Sequence, residues 1–104
     1  MKILFNVRTP LGKQVRTSEE YWREITTYKH PQLAGKVHDV ELTLVDPERI
    51  KKSRSDEHVY LYYRLIGKYV LCVVVKHFGD EGFVITAYFT GKEKEGTTIW
   101  EKKK

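Results

Sequence analysis

The chain predicts an α+β domain, with an N-terminal hairpin and helices packed on one face of an antiparallel β-sheet. Three observations carry this expectation. Apolar residues in the first half recur at helical spacing, whereas those in the second half alternate. The last three alternating runs are joined by turns too short for a crossover, so they pair antiparallel. At 104 residues, with 40% hydrophobic and 32% charged side chains, the chain has room for one modest core and is not compositionally disordered.

The elements follow in order. "KILFNVRT" is a strand, "PLGK" has turn chemistry, and "QVRT" returns as the second strand of a short hairpin. Thr17 stands three residues before Glu20, the capping-box spacing, and opens a helix through "SEEYWREITTYK". Tyr21, Trp22, Ile25 and Tyr28 (or Lys29) form its apolar stripe. Pro31 ends that helix or begins a short second one, because the residue before a proline disfavours helical geometry. Leu33, Val37, Val40, Leu44 and Val45 then predict a helix over 36–45, stopped by Asp46-Pro47. "KKSRSDE" is a basic connector or a short edge strand. "HVYLYYRLIG", "KYVLCVVVKH" and "GFVITAYFTG" form a meander with turns at 66–68 and 79–82. The middle strand is apolar on both faces until Lys76 and His77, as a central strand should be. Ile99-Trp100 adds an edge strand or packs against one. The domain is expected to span 1–101, with 102–104 as a basic tail.

Several function classes recede. The longest apolar run, "YVLCVVV", is strand length, so no membrane span is expected. "MKILFNVRT" is interrupted by Arg8 too soon for a signal peptide. Cys72, the sole cysteine, sits inside the apolar run and reads as a buried thiol in a reducing, cytoplasmic compartment. His30, His38, His58 and His77 are scattered, with neither a metalloprotease motif nor paired cysteines, so neither metal nor cofactor is expected. No glycine-rich phosphate loop occurs, and Cys72 lacks an exposed base partner. Net charge is +5, three of it carried by Lys102, Lys103 and Lys104. A basic balance favours polyanionic partners such as nucleic acid.

Alternation divides the strands into two faces. Val59, Leu61, Tyr63 and Leu65 suit the core, while His58, Tyr60, Tyr62 and Arg64 suit a groove floor. On the third strand, Ile85, Ala87 and Phe89 oppose Val84, Thr86, Tyr88 and Thr90. Lys76 extends the polar face, and Arg54-Ser55 is available from the connector. Tyr and Thr also populate ordinary half-buried strand surfaces. Collected on one face, aromatic platforms and cations suit RNA. Three readings stay open: a catalytic site, a non-catalytic RNA- or ssDNA-binding surface, and a protein-interaction surface anchored by tyrosines.

The order "VRTPLGKQVRTSEEYWREITTYKHPQL", "LTLVDPERI", "YLYYR", "VVVK" and "FVITAY" resembles the phage-associated nuclease families of the barnase–EndoU–colicin–RelE superfamily. The resemblance runs from about Val7 to Trp100. It implies helices against a curved antiparallel sheet, and metal-independent RNA cleavage by attack of the ribose 2′-OH on the adjacent phosphate. It also implies RNA as substrate and a cognate antitoxin or inhibitor protein as partner. Carried onto this chain, His30 of "KHP" is the general acid/base, or else merely caps a helix end beside Pro31. A histidine ordinarily titrates near neutrality, as that role requires. Arg54 and Lys76 bind the scissile phosphate, while Thr86 and Tyr88 position substrate by hydrogen bonds. Where related sequences tend to carry a second histidine two residues after the tryptophan, this chain has Glu24, a carboxylate able to act as general base. Ser55, His58, Tyr60, Tyr62 and Arg64 are the expected substrate-binding residues.

Overall fold

Hairpin chemistry opens the chain as expected. In the computed structural model, which describes residues 2–93 and 96–103, strand β1 (Ile3–Arg8) pairs antiparallel with β2 (Gln14–Ser18). The connecting turn is closed by Thr9 N donating to Lys13 O. Helix α1 (Glu19–Glu24) begins at once, but its N-cap is Ser18 rather than Thr17. The Ser18 hydroxyl accepts the Tyr21 amide at 3.1 Å, whereas Thr17 is still held in the hairpin opposite Phe5. The stretch read as one helix changes character at Ile25 and continues as a π-helical segment (Ile25–Lys29). Pro31 then opens a 3-10 turn (Pro31–Leu33), and helix α2 (Val37–Val45) follows, within a residue of expectation.

Five strands complete the sheet: β3 (Arg49–Lys52), β4 (Val59–Ile66), β5 (Tyr69–Phe78), β6 (Glu81–Thr90) and β7 (Thr97–Glu101). Their order is β1-β2-β6-β5-β4-β3-β7. The β4–β5–β6 meander turns on Gly67 (φ +62°) and Gly79 (φ +56°), left-handed positions that favour glycine. The basic connector contributes a true strand, but an interior one: β3 lies between β4 and β7, and Ile99-Trp100 belongs to the edge. One pairing departs from the antiparallel expectation. β2 runs parallel to β6 over three residue pairs, which fuses the hairpin to the meander.

The helices cover one face of this sheet. Val40 and Leu44 of α2, Leu33, Ile25 and Ile50 are fully buried there against Val15, Leu71, Val73, Val75 and Ala87. Tyr62 belongs to the same core, with Tyr60 packed beside it. This corrects the reading of Tyr60, Tyr62 and Arg64 as groove floor. Arg64 also serves the helix side, where Nη1 donates to Asp46 O (2.6 Å) and Oδ2 (3.2 Å) at the end of α2. β6 carries a second correction. An irregularity between Val84 and Thr86 turns Val84 into the core, while Ile85 is only partly buried.

Tyr62 is tolerable in the core because its hydroxyl is satisfied. The phenol oxygen lies 3.1 Å from both Thr9 Oγ1 and His77 Nε2, and Tyr60 stacks on the His77 ring at 4.0 Å. Burial pushes the Tyr62 phenol up to about 12. Burial, with the nearby Lys13 charge, pulls His77 down to about 4. A histidine held neutral in the fold but free to protonate when unfolded gives the fold full stability above its ordinary pKa of about 6.5. That stability is lost as pH falls towards 4, by up to about 3 kcal/mol. Urea midpoints measured from pH 7 to pH 4 are expected to fall, and His77→Gln to flatten the decline.

Candidate functional site

The face opposite the helices is built in rows across the central strands. Leu61, Val74 and Thr86 are cross-strand neighbours, as are Tyr63, Cys72 and Tyr88. Leu61, Tyr63 and Cys72 form a second small core there, with Val70, Val74 and Tyr88 packed against it. After β4 begins, the chain that precedes it frames this face. Ser53, Arg54 and Ser55 join Leu61, Val74, Thr86 and Tyr88 around a groove of about 460 Å³. Ser53 and Ser55 hold the loop by their mutual contact at 3.2 Å.

His30 reaches the Tyr88 ring at the margin of this groove by a route the strand pattern does not contain. β2 accompanies β6 only as far as the Arg16–Phe83 pair. Beyond it, α1 and the π-helical segment run beside β6 instead. The Tyr21 hydroxyl donates to the Ile85 carbonyl at 2.6 Å, satisfying a backbone group that no strand takes up. Eight residues later the segment ends, and the His30 ring sits 5.7 Å from the Tyr88 ring, tilted by 38°. His30, Tyr88, Thr86 and Arg54 thus come from three separate parts of the chain to one groove and its margin.

Their electrostatics differ. Burial, then the neighbouring Cys72 and Tyr63, hold the Tyr88 phenol well above its ordinary value. It therefore stays protonated and acts as a hydrogen-bond donor, not as a base. The Thr86 hydroxyl is buried without a hydrogen-bond partner among the described residues. Arg54 is exposed at the rim. Lys76, one row further along the same face, lies 3.9 Å from Asp56.

No family model, curated protein or solved structure matches this chain.

The remaining expected residues are dispersed. Glu24 is exposed on α1 beside Glu20, Arg23 and Tyr28, in a shallow depression separate from the groove. Ser55 lines the groove, whereas His58 is exposed in the loop, 3.5 Å from Glu57. Tyr60, Tyr62 and Arg64 are on the helix side, as described above. Sequence reasoning also missed a charged cluster on the open side of β3. Glu93 accepts from Arg49 Nη1 at 2.7 Å and lies 3.1 Å from Lys51, whose ammonium sits over the Tyr63 ring at 5.7 Å. Arg49 Nη2 also donates to Glu101 at 2.9 Å. Glu93 follows β6 yet its carboxylate is seated on β3, which β5 and β4 separate from β6 in the sheet. Only alternating charges in "RIKK" hinted at this, because the partner lies 44 residues away. The C-terminal Lys102 is anchored too, its Nζ 3.0 Å from Asp46, which holds the Asp46 carboxyl below the usual carboxylate range.

Proposed function

We propose that the open-face groove cleaves RNA without a metal ion, as a ribonuclease of the barnase–EndoU–colicin–RelE type. The carrying observation is the convergence of His30 with Tyr88, from distant parts of the chain, at a groove bordered by Arg54 and Thr86. Strand cleavage by the ribose 2′-OH needs a proton acceptor near that hydroxyl and donors for the charge that grows on the phosphoryl oxygens. His30 takes the 2′-OH proton as oxygen attacks phosphorus. Tyr88, fixed as a phenol, donates to a non-bridging oxygen, with Thr86 as a second donor. Arg54, exposed at the rim, neutralises the phosphate of an incoming strand. The 5′-oxygen leaves with a proton from solvent, and the other product end is a cyclic phosphate. Lys76 extends the cationic path along the same face.

Glu24 has no part in this arrangement, since it lies in its own depression on α1. One histidine, one phenol and one guanidinium suffice for the chemistry. An inhibitor protein that silences such an enzyme covers this groove. The test is incubation of the purified protein with total RNA in EDTA, beside His30→Ala. Cleavage by wild type alone, leaving cyclic-phosphate ends, is the expected outcome. RNA that is bound in a salt-dependent way yet stays intact indicates a non-catalytic binding surface instead.

A further inference from the structure

Where β2 parts from β6, the structure leaves a cleft of about 280 Å³ bounded by Ile3, Arg16, Thr17, Tyr21, Phe83 and Val84. We infer that this cleft binds one nucleobase of the RNA strand whose phosphates follow the open face, an inference that rests on the RNA reading above.

Four observations select that occupant. The cleft is slightly smaller than the roughly 300–1,000 Å³ of pockets for drug-sized ligands, so it suits a single planar ring system. Its walls are mostly apolar, and Phe83 is 38% exposed, stacked on Phe78 at 5.4 Å with ring planes 21° apart. Exposed aromatic pairs of this kind are platforms for unstacked bases. Thr17, only 4% exposed, carries a hydroxyl with no hydrogen-bond partner among the described residues. An unpartnered buried hydroxyl gains from a ligand that supplies a polar edge.

Cations supply the last observation. Arg16 pairs across from Phe83 and is held by Glu81, while Lys76 faces Phe83 from the other side. Lys29 lies over the Tyr21 ring at 5.2 Å and donates to its hydroxyl at 3.3 Å. Cationic side chains thus flank an aromatic slot on both sides, Arg16 and Lys76 each beside a carboxylate that an incoming phosphate would displace. The same Tyr21 hydroxyl is bonded to Ile85, one residue before groove-lining Thr86. Cleft and groove are therefore neighbouring stations along β6. A base seated in the first presents the following linkage to the second.

Amide-resolved NMR titration of the intact protein tests this, with the 5′-monophosphates of adenosine and uridine and a 2′-O-methyl hexanucleotide as probes. Mononucleotides are expected to move the amides of Thr17, Tyr21, Phe83 and Val84. Phe83→Leu keeps apolar bulk without a stacking ring and should weaken binding of both nucleotides about tenfold. Thr17→Val should weaken one nucleotide several-fold more than the other, because only a base that used the hydroxyl loses a bond. Hexanucleotide shifts at Arg54, Thr86 and Tyr88 without any at Thr17 or Phe83 would overturn the base cleft and leave the RNA reading intact. Nucleotide binding in the cleft by a protein that cuts no RNA would uphold the cleft and sink the cleavage reading. Indole binding as tightly as either nucleotide would mark a general apolar pocket and overturn the inference.

Discussion

His30→Ala is expected to slow RNA cleavage by about 10²–10⁴-fold, the range that general acid–base groups contribute. Its thermal midpoint should stay close to that of wild type, because His30 is only partly buried and its side chain makes no capping hydrogen bond to the 3-10 turn that follows. Tyr88→Phe is the informative companion. It keeps the ring that contacts His30 and removes only the donor, so the expected loss is about 10²–10³-fold, as for removal of one preorganised donor to a developing oxyanion. Since burial keeps Tyr88 protonated, no rise in activity that tracks phenol ionisation should appear in the pH–rate profile. Equal loss of activity and of folding in both variants would instead make the pair an ordinary packing contact.

Tyr62 should behave in the opposite way. Tyr62→Ala removes a fully buried aromatic side chain and is expected to cost about 3–5 kcal/mol of stability. Tyr62→Phe retains the ring but leaves Thr9 and His77 to lose their shared partner, for about 1–3 kcal/mol. Neither change should weaken RNA binding by the folded fraction, since the side chain faces the helices. Chemical denaturation together with affinity measured under native conditions separates the two effects. A Tyr62→Phe variant that folds normally but loses RNA affinity would restore the groove-floor reading.

The contrast between Tyr62 and Tyr88 explains how far the sequence could be read. Turns and apolar period disclosed the hairpin, the approximate extent of both helices and the meander, since those signals are local, whereas the cap fell one residue on, at Ser18. Which face of β4 meets the helices was not legible. The strand is packed on both sides, against α2 on one and within the small cluster of Leu61, Tyr63 and Cys72 on the other. Leu61 and Tyr62 are both buried, so alternation distinguishes two sides without telling which is which. The apolar leucine set looked like core, yet the tyrosine found its polar partners 53 and 15 residues away. On β6, one irregularity at 84–86 was enough to move Val84 across the sheet, while Thr86 and Tyr88 kept their shared face.

The site was legible in its parts and not in its assembly. Thr86, Tyr88, Arg54 and Ser55 were readable as neighbours on or beside one face. The arrival of His30 depended on α1 and the π-helical segment replacing β2 along β6, which no local pattern announces. Glu24 looked eligible because it shares a helix with Trp22, but helical phase sends it outward. The cluster of Arg49, Lys51 and Glu93 joins residues more than 40 positions apart. Each of these is tertiary information.

The proposed reaction breaks RNA at the Tyr88 groove through the substrate's own 2′-hydroxyl. Its decisive test is the fate of one RNA oligomer, in EDTA, beside the same oligomer with every 2′-hydroxyl methylated. Cyclic-phosphate and 5′-hydroxyl ends are expected from the first, none from the second, and comparable binding of both. Cleavage of the methylated strand, or an unmethylated strand that binds and stays whole, would contradict it.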